Sequence, residues 1–193
     1  TVATEGWLGK VVRALAPEKS NPLTAVSIGR GLPRARSARE VPVTSVADLD
    51  SYGLMSGFNA EQQRNDALDL FKRIYTPAIG TATVADYLAR TGIDIIRGAE
   101  MLKKAPAMYS SKIEYADNPL AKSLRDVARI HLAGLGTRIL YAQHGGYDTH
   151  ANEAPTHPKL MIDLSRAIAD FYQDLEDHAA GDNVVVMVFT EFG

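Results

Sequence analysis

A chain of 193 residues is long enough for one domain with a sizeable core, and 46% apolar with 23% charged residues is an ordinary globular balance. Lys+Arg 21 against Asp+Glu 23 leaves a net charge of −2, so there is no electrostatic case for nucleic acid or an anionic membrane as a general partner. Cysteine is absent, which excludes disulfides, thiolate metal sites and cysteine nucleophiles but leaves reducing and oxidising compartments equally open.

In chain order, "GWLGKVVRALA" (6–16) reads as a short amphipathic helix and "LTAVSIG" (23–29) as a buried strand bounded by Pro22 and Gly29. Residues 30–58 read as a loop or insertion, broken by Pro33, Pro42, Gly53 and Gly57. Within them "GRGLPRARSARE" (29–40) is a basic patch, of the kind that is usually solvated surface. Helices are expected from 59 to about 135, the first with Asn59 as its cap. The clearest begins at "NPLAKSLRDVARIHLAGLG", with Asn118 as cap, Pro119 in the first helical position and Gly134 or Gly136 as the stop. His131 falls on its apolar stripe with Leu120, Leu124 and Val127, where a histidine is ordinarily a hydrogen-bonded core residue. No run reaches the roughly 18 apolar residues of a membrane span.

The last third carries the most informative pattern. "TRILYAQ" (137–143) is expected as a strand, "HGGYDTHANEAPT" (144–156) as a polar loop, 157–180 as an amphipathic helix, and "NVVVMVF" (183–189) as a fully apolar strand. Together these make a βαβ unit over 137–193, in a largely parallel sheet covered on both faces. Ligands bind outside the carboxyl ends of such strands, where "GGYDTH" (145–150) and "TEFG" (190–193) are both expected. Asp148, His150 and Glu191 are therefore candidate metal ligands. Mixed carboxylate and imidazole donors suit zinc, manganese or iron, whereas calcium favours oxygen alone. The competing reading is a plain turn, since Gly, Asp and Thr are common turn residues. Thr149 and Thr190 read more simply as backbone-bonding turn residues than as nucleophiles.

These motifs carry a resemblance. "ILYAQHGGYDTHANE", followed by "VVVMVFTEFG", resembles the domain of unknown function 1501 family, which has a G-G-[aromatic]-D-T-H motif and a later T-E-F-G-R motif. "GWLGK" is similar to that family's G-W-L-G-R segment. The resemblance implies a sulfatase-like, three-layer α/β/α fold of the alkaline phosphatase superfamily, incomplete in this chain and with a helical middle section. It implies that residues 1–193 are part of a single such domain, in a metal-dependent hydrolase of phosphate or sulfate esters. By the same resemblance Asp148 matches the aspartate of the metal-binding loop. Glu191 takes a strand-end position where better-known relatives carry an aspartate followed by histidine. His150 departs from the D-x-x-x-H spacing of alkaline phosphatases, and Phe192 replaces the expected imidazole.

The implied cofactor is a divalent metal, whether zinc, manganese, iron or calcium. Implied partners are a small-molecule or glycan ester and further segments of the same protein, because the G-G-N-D and D-H-G motifs of the family do not occur and the chain opens on Thr1. Export by a twin-arginine signal, to the periplasm or exterior, is likewise implied. The alternative is a non-catalytic binding or structural module on the same fold. His157 is near enough in sequence to support the metal ligands from behind, but reads more simply as a helix-start residue.

Overall fold

A computed structural model describes residues 6–15, 21–29, 31, 35, 43–50, 61–81, 84–151 and 153–190. The fold is α/β. Its elements in chain order are α1 (Trp7–Leu15), β1 (Ala25–Ile28), β2 (Val43–Val46), α2 (Glu61–Tyr75), α3 (Val84–Leu102), α4 (Pro119–Leu132), β3 (Ile139–Tyr141) and α5 (Glu153–Asp177). The three strands form one parallel sheet in the order β2-β1-β3, so β1 takes the centre and is buried along its whole length.

Register is fixed at both ends of the sheet. Ala25 lies opposite Val43 and Ile139, and Val26 opposite Thr44 and Leu140. At the amino end the Thr24 carbonyl accepts from the N–H groups of Arg138 (2.9 Å) and Ile139 (3.1 Å), and the Thr44 hydroxyl donates to the Pro22 carbonyl at 2.9 Å. At the carboxyl end Gly29 N–H donates to the Val46 carbonyl at 2.7 Å. Side chains alternate across the sheet, and the two faces are covered separately. Ala25, Val43 and Ile139 pack against Val12 of α1. Val26, Ile28 and Val46 pack with Leu102 of α3, Val127 and Ile130 of α4, and Phe171 and Leu175 of α5.

Much of the helical layout follows local chemistry. Asn118 caps α4 as expected, its side chain accepting from Ala121 N–H at 2.9 Å with Pro119 next to it, and the left-handed Gly134 (φ 63°) follows the helix. His131 is hydrogen-bonded, its Nε2 donating to the Ala180 carbonyl at 3.1 Å. Helices α2 and α3 pack closely because residue 92 is glycine: a Cβ there would stand 2.2 Å from the tip of the Phe71 ring. Asn59, the expected cap of α2, lies outside the described residues.

Three expectations are corrected. The stretch 30–58 is not all loop, because Val43–Val46 forms β2; its two valines and Thr44 suit a pleated surface, and pairing with β1 outweighs the breakers around it. Helix α5 starts at Glu153 rather than 157 and encloses Pro158. Pro155 lies in the first turn, where N–H groups lack helical partners anyway, whereas Pro158 removes one interior bond. The helix tolerates this through tertiary packing of Ala167, Phe171 and Leu175.

The third correction concerns 183–189, the expected apolar strand. Residues 184–190 form no strand, and Val185 is 93% exposed. Phe189 lies beside Trp7 and Tyr141, with ring centroids 5.2 and 6.2 Å apart, yet the segment joins no ladder. Apolar β-branched composition favours a strand only where a neighbouring strand accepts its backbone groups. The expected βαβ unit over 137–193 is therefore present only in β3 and α5.

Helices α4 and α5 form the main helix pair of the layer beneath the sheet, and a buried carboxyl group ties α5 to the 109–115 segment that precedes α4. Asp174 is 0% exposed. It accepts from three hydroxyls: Tyr109 (2.6 Å) and Tyr115 (2.8 Å) at Oδ2, and Ser111 (2.5 Å) at Oδ1. Burial, then the bond to Asp174, pushes the Tyr109 phenol up to about 12, and the same causes raise Tyr115 above the usual phenol range. Both phenols thus stay protonated and keep donating. A second node joins β2 to α4: Asp126, whose carboxyl burial raises, accepts from Leu49 N–H at 3.2 Å and pairs with Arg129 at 3.1 Å. Arg129 also reaches Asp50 at 2.8 Å.

Two stability outcomes follow. Asp174→Ala removes the acceptor of three half-buried hydroxyls and should cost roughly 3 kcal/mol, read as a fall in urea midpoint at unchanged slope. Beyond the end of α5, Ala179 adopts φ 51° while Ala180 N–H reaches back to the Leu175 carbonyl at 2.9 Å. Glycine suits that left-handed closing position, so Ala179→Gly should stabilise by about 0.5 kcal/mol in the same assay; a loss of stability there would contradict the strain assigned to Ala179.

Candidate functional site

Because all three strands run parallel, their carboxyl ends Ile28, Val46 and Tyr141 share one edge of the sheet. The polypeptide leaving Tyr141 passes directly into "AQHGGYDTHAN" (142–152) and then α5. The G-G-Y-D-T-H loop is therefore placed at the sheet edge where parallel folds hold ligands.

The loop turns at Gly146, whose φ of 95° lies in the left-handed region and whose open Cα face stands against Leu160 of α5, 3.5 Å from where a Cβ would be. A larger residue there would be strained whatever space it found. Thr149 N–H donates to the Tyr147 carbonyl at 3.0 Å, a tight turn that brings Asp148 and His150 to the same side. Their reactive atoms, Asp148 Oδ1 and His150 Nε2, are 3.2 Å apart, with side chains 73% and 89% exposed.

Behind this pair is a half-buried aromatic support. His144 Nδ1 lies 2.9 Å from the Tyr147 hydroxyl, and the two rings meet edge to face at 5.3 Å. Burial lowers the His144 pKa, opposed by Asp163 and assisted by Lys159, and burial raises that of Tyr147. Because a phenol both donates and accepts, Nδ1 can accept from the Tyr147 hydroxyl or donate to its oxygen, and the contact holds in either His144 tautomer. Tyr147 also faces the His157 ring, centroids 6.4 Å apart. His157 is exposed within α5 rather than at its start.

Of the three expected ligands the fold thus brings Asp148 and His150 together; Glu191 lies outside the described residues. Among the described residues, no group of three or more His, Asp or Glu is arranged to hold a metal. The Asp148–His150 spacing nevertheless fits a shared cation. Two donors about 2.1 Å from one ion stand roughly 3.0 Å apart at an octahedral angle and roughly 3.4 Å apart at a tetrahedral one, and 3.2 Å falls between. A hydrogen bond between the two side chains accounts for the same distance, so the pair supplies at most two of the donors a site needs.

His144 and Tyr147 are not singled out by residue type alone. The available signal was their three-residue spacing inside a glycine-rich loop, which lets the two side chains meet. An open surface groove of about 380 Å³ lies at the opposite, amino edge of the sheet, lined by Asn21 and Pro22 with Arg97, Glu100, Met101 and Lys104. It shares no residue with the loop.

Among described helices none is long and apolar enough to cross a membrane. No curated protein and no solved structure matches the chain. The profile of the family described as "Protein of unknown function (DUF1501)" matches residues 1–193, and the chain belongs to that family.

Proposed function

We propose that this chain carries part of the site of a metal-dependent hydrolase of phosphate or sulfate esters, on a three-layer, sulfatase-like fold of the alkaline phosphatase superfamily. The observation that supports it is the exposed Asp148–His150 pair, 3.2 Å apart at the carboxyl edge of a parallel sheet. An exposed carboxylate and imidazole facing each other offer donors to an incoming ion without first breaking a buried network. Asp148 and His150 would hold a divalent cation, with Glu191 as a third donor. A bound ion of this kind polarises an ester oxygen and offsets charge developing in the transition state. The Tyr147–His144 contact restrains the turn from which both ligands project. The same family likeness supports export to the periplasm or exterior.

The second reading is a non-catalytic module that retains the fold, and it too rests on a specific observation. Phe192 follows Glu191 where a second imidazole is expected, so the ligand set is poorer than in hydrolytic relatives.

Metal content and turnover separate the two. The hydrolase reading expects stoichiometric zinc, manganese, iron or calcium by elemental mass spectrometry and turnover of p-nitrophenyl phosphate or sulfate. Asp148→Asn and His150→Ala should each lower metal affinity at least about 100-fold, since each removes a direct ligand when even outer partners cost 10–100-fold. Metal bound without turnover selects the module. Failure of either substitution to change the affinity for any of these ions sinks the assignment of the pair.

A further inference from the structure

His178 stands just beyond the last residue of α5, and both of its ring nitrogens face carbonyl oxygens. Nδ1 is 2.7 Å from the Asp174 carbonyl, and Nε2 is 2.8 Å from the Ser110 carbonyl. A carbonyl oxygen only accepts. A neutral imidazole has a single N–H, so its other nitrogen would press a lone pair against an oxygen lone pair at hydrogen-bond distance. Only the imidazolium, with two N–H donors, satisfies both contacts.

The surroundings support a positive charge at this point. From α5 itself, the Asp174 carboxylate Oδ1 lies 3.4 Å from Nδ1, and Asp177 adds a further negative charge. The ring also occupies the carboxyl end of a 25-residue helix, where unpaired carbonyls and the helix dipole favour a cation. From the 109–115 segment, the Tyr109 ring stacks on His178 at 6.1 Å. From α4, Arg129 sits over that same Tyr109 ring at 5.5 Å and opposes a second cation, but Asp126 and Asp50 neutralise it.

We propose that His178 is a protonation-operated pin whose imidazolium fastens the 109–115 segment to the carboxyl end of α5, where the chain turns toward 181–190. Loss of one ring proton leaves one of the two carbonyls without its donor and loosens that junction. The direction of the pKa agrees. The bond to the Asp174 carbonyl, against desolvation and with help from the Ser110 carbonyl, raises His178 above its ordinary value. A raised folded-state pKa means that the stabilisation is fully present below the unfolded value of about 6.5. It is lost as pH rises through the higher folded value. His144, whose pKa burial lowers, contributes with the opposite sign, so the pin has to be read by difference.

The test is a nitrogen-detected NMR titration of the histidine side chains, with His178 assigned by loss of its signals in His178→Gln. The pin requires both ring nitrogens to be protonated at pH 6, with a midpoint above 6.5. In thermal unfolding, the gap between wild type and His178→Gln should be widest near pH 6 and shrink toward pH 9. A His178 midpoint at or below about 6.5 overturns the proposal, as does a gap that stays constant with pH. Should His178→Gln fail to fold, replacing the neighbouring histidines completes the assignment and the wild-type titration decides.

Discussion

The helical layer depends on one buried carboxylate. Asp174 has no exposed surface and is surrounded by the apolar residues that support β1, including Leu175 and Phe171 on its own helix. A carboxyl group in such a place is tolerable only when its oxygens are hydrogen-bonded, and Tyr109, Tyr115 and Ser111 supply those bonds. The arrangement is directional. It selects one rotation of α5 about its axis and one path for residues 109–115, which apolar packing alone would leave less defined.

That rotation has consequences at both ends of α5. At its amino end the helix presents Leu160 to Gly146 and His157 to Tyr147, so the turn that projects Asp148 and His150 is braced by a helix whose orientation is set four turns away. At its carboxyl end His178 meets Ser110, in the segment that also supplies the Asp174 donors. Site loop, buried carboxylate and closing histidine are thus strung along one rigid element, with β3 joined to it through the loop itself.

The turn that places Asp148 beside His150 was more legible in sequence than the fold around it. "GGYDTH" has glycine where the chain must turn and a carboxylate and an imidazole two positions apart, and the fold brings Asp148 and His150 within 3.2 Å. The supporting pair His144 and Tyr147 was less legible, because a hydrogen bond across three loop residues depends on the turn made by Gly146. Strand β2 was hidden by its polar centre, Thr44 and Ser45, and by Pro42 before it. Conversely "NVVVMVF" has stronger strand composition than any of the three strands formed and pairs with none.

Sequence by itself determined what depends on neighbours along the chain: the capped start of α4 at Asn118 and Pro119, its stop near Gly134, the amphipathic α1, the buried β1, and the donor types in the glycine turn. Helix periodicity and capping are local, because their hydrogen bonds close within a few residues. Only the tertiary structure decided that Val43–Val46 became a strand and 184–190 did not, because a strand is completed by a partner far away in sequence, as Val43 is by Ala25. It also decided the role of the polar residues. Nothing local distinguishes Asp174 from the solvated Asp177 three residues on, and the difference arises because 109–115 folds back to place three hydroxyls on one and none on the other.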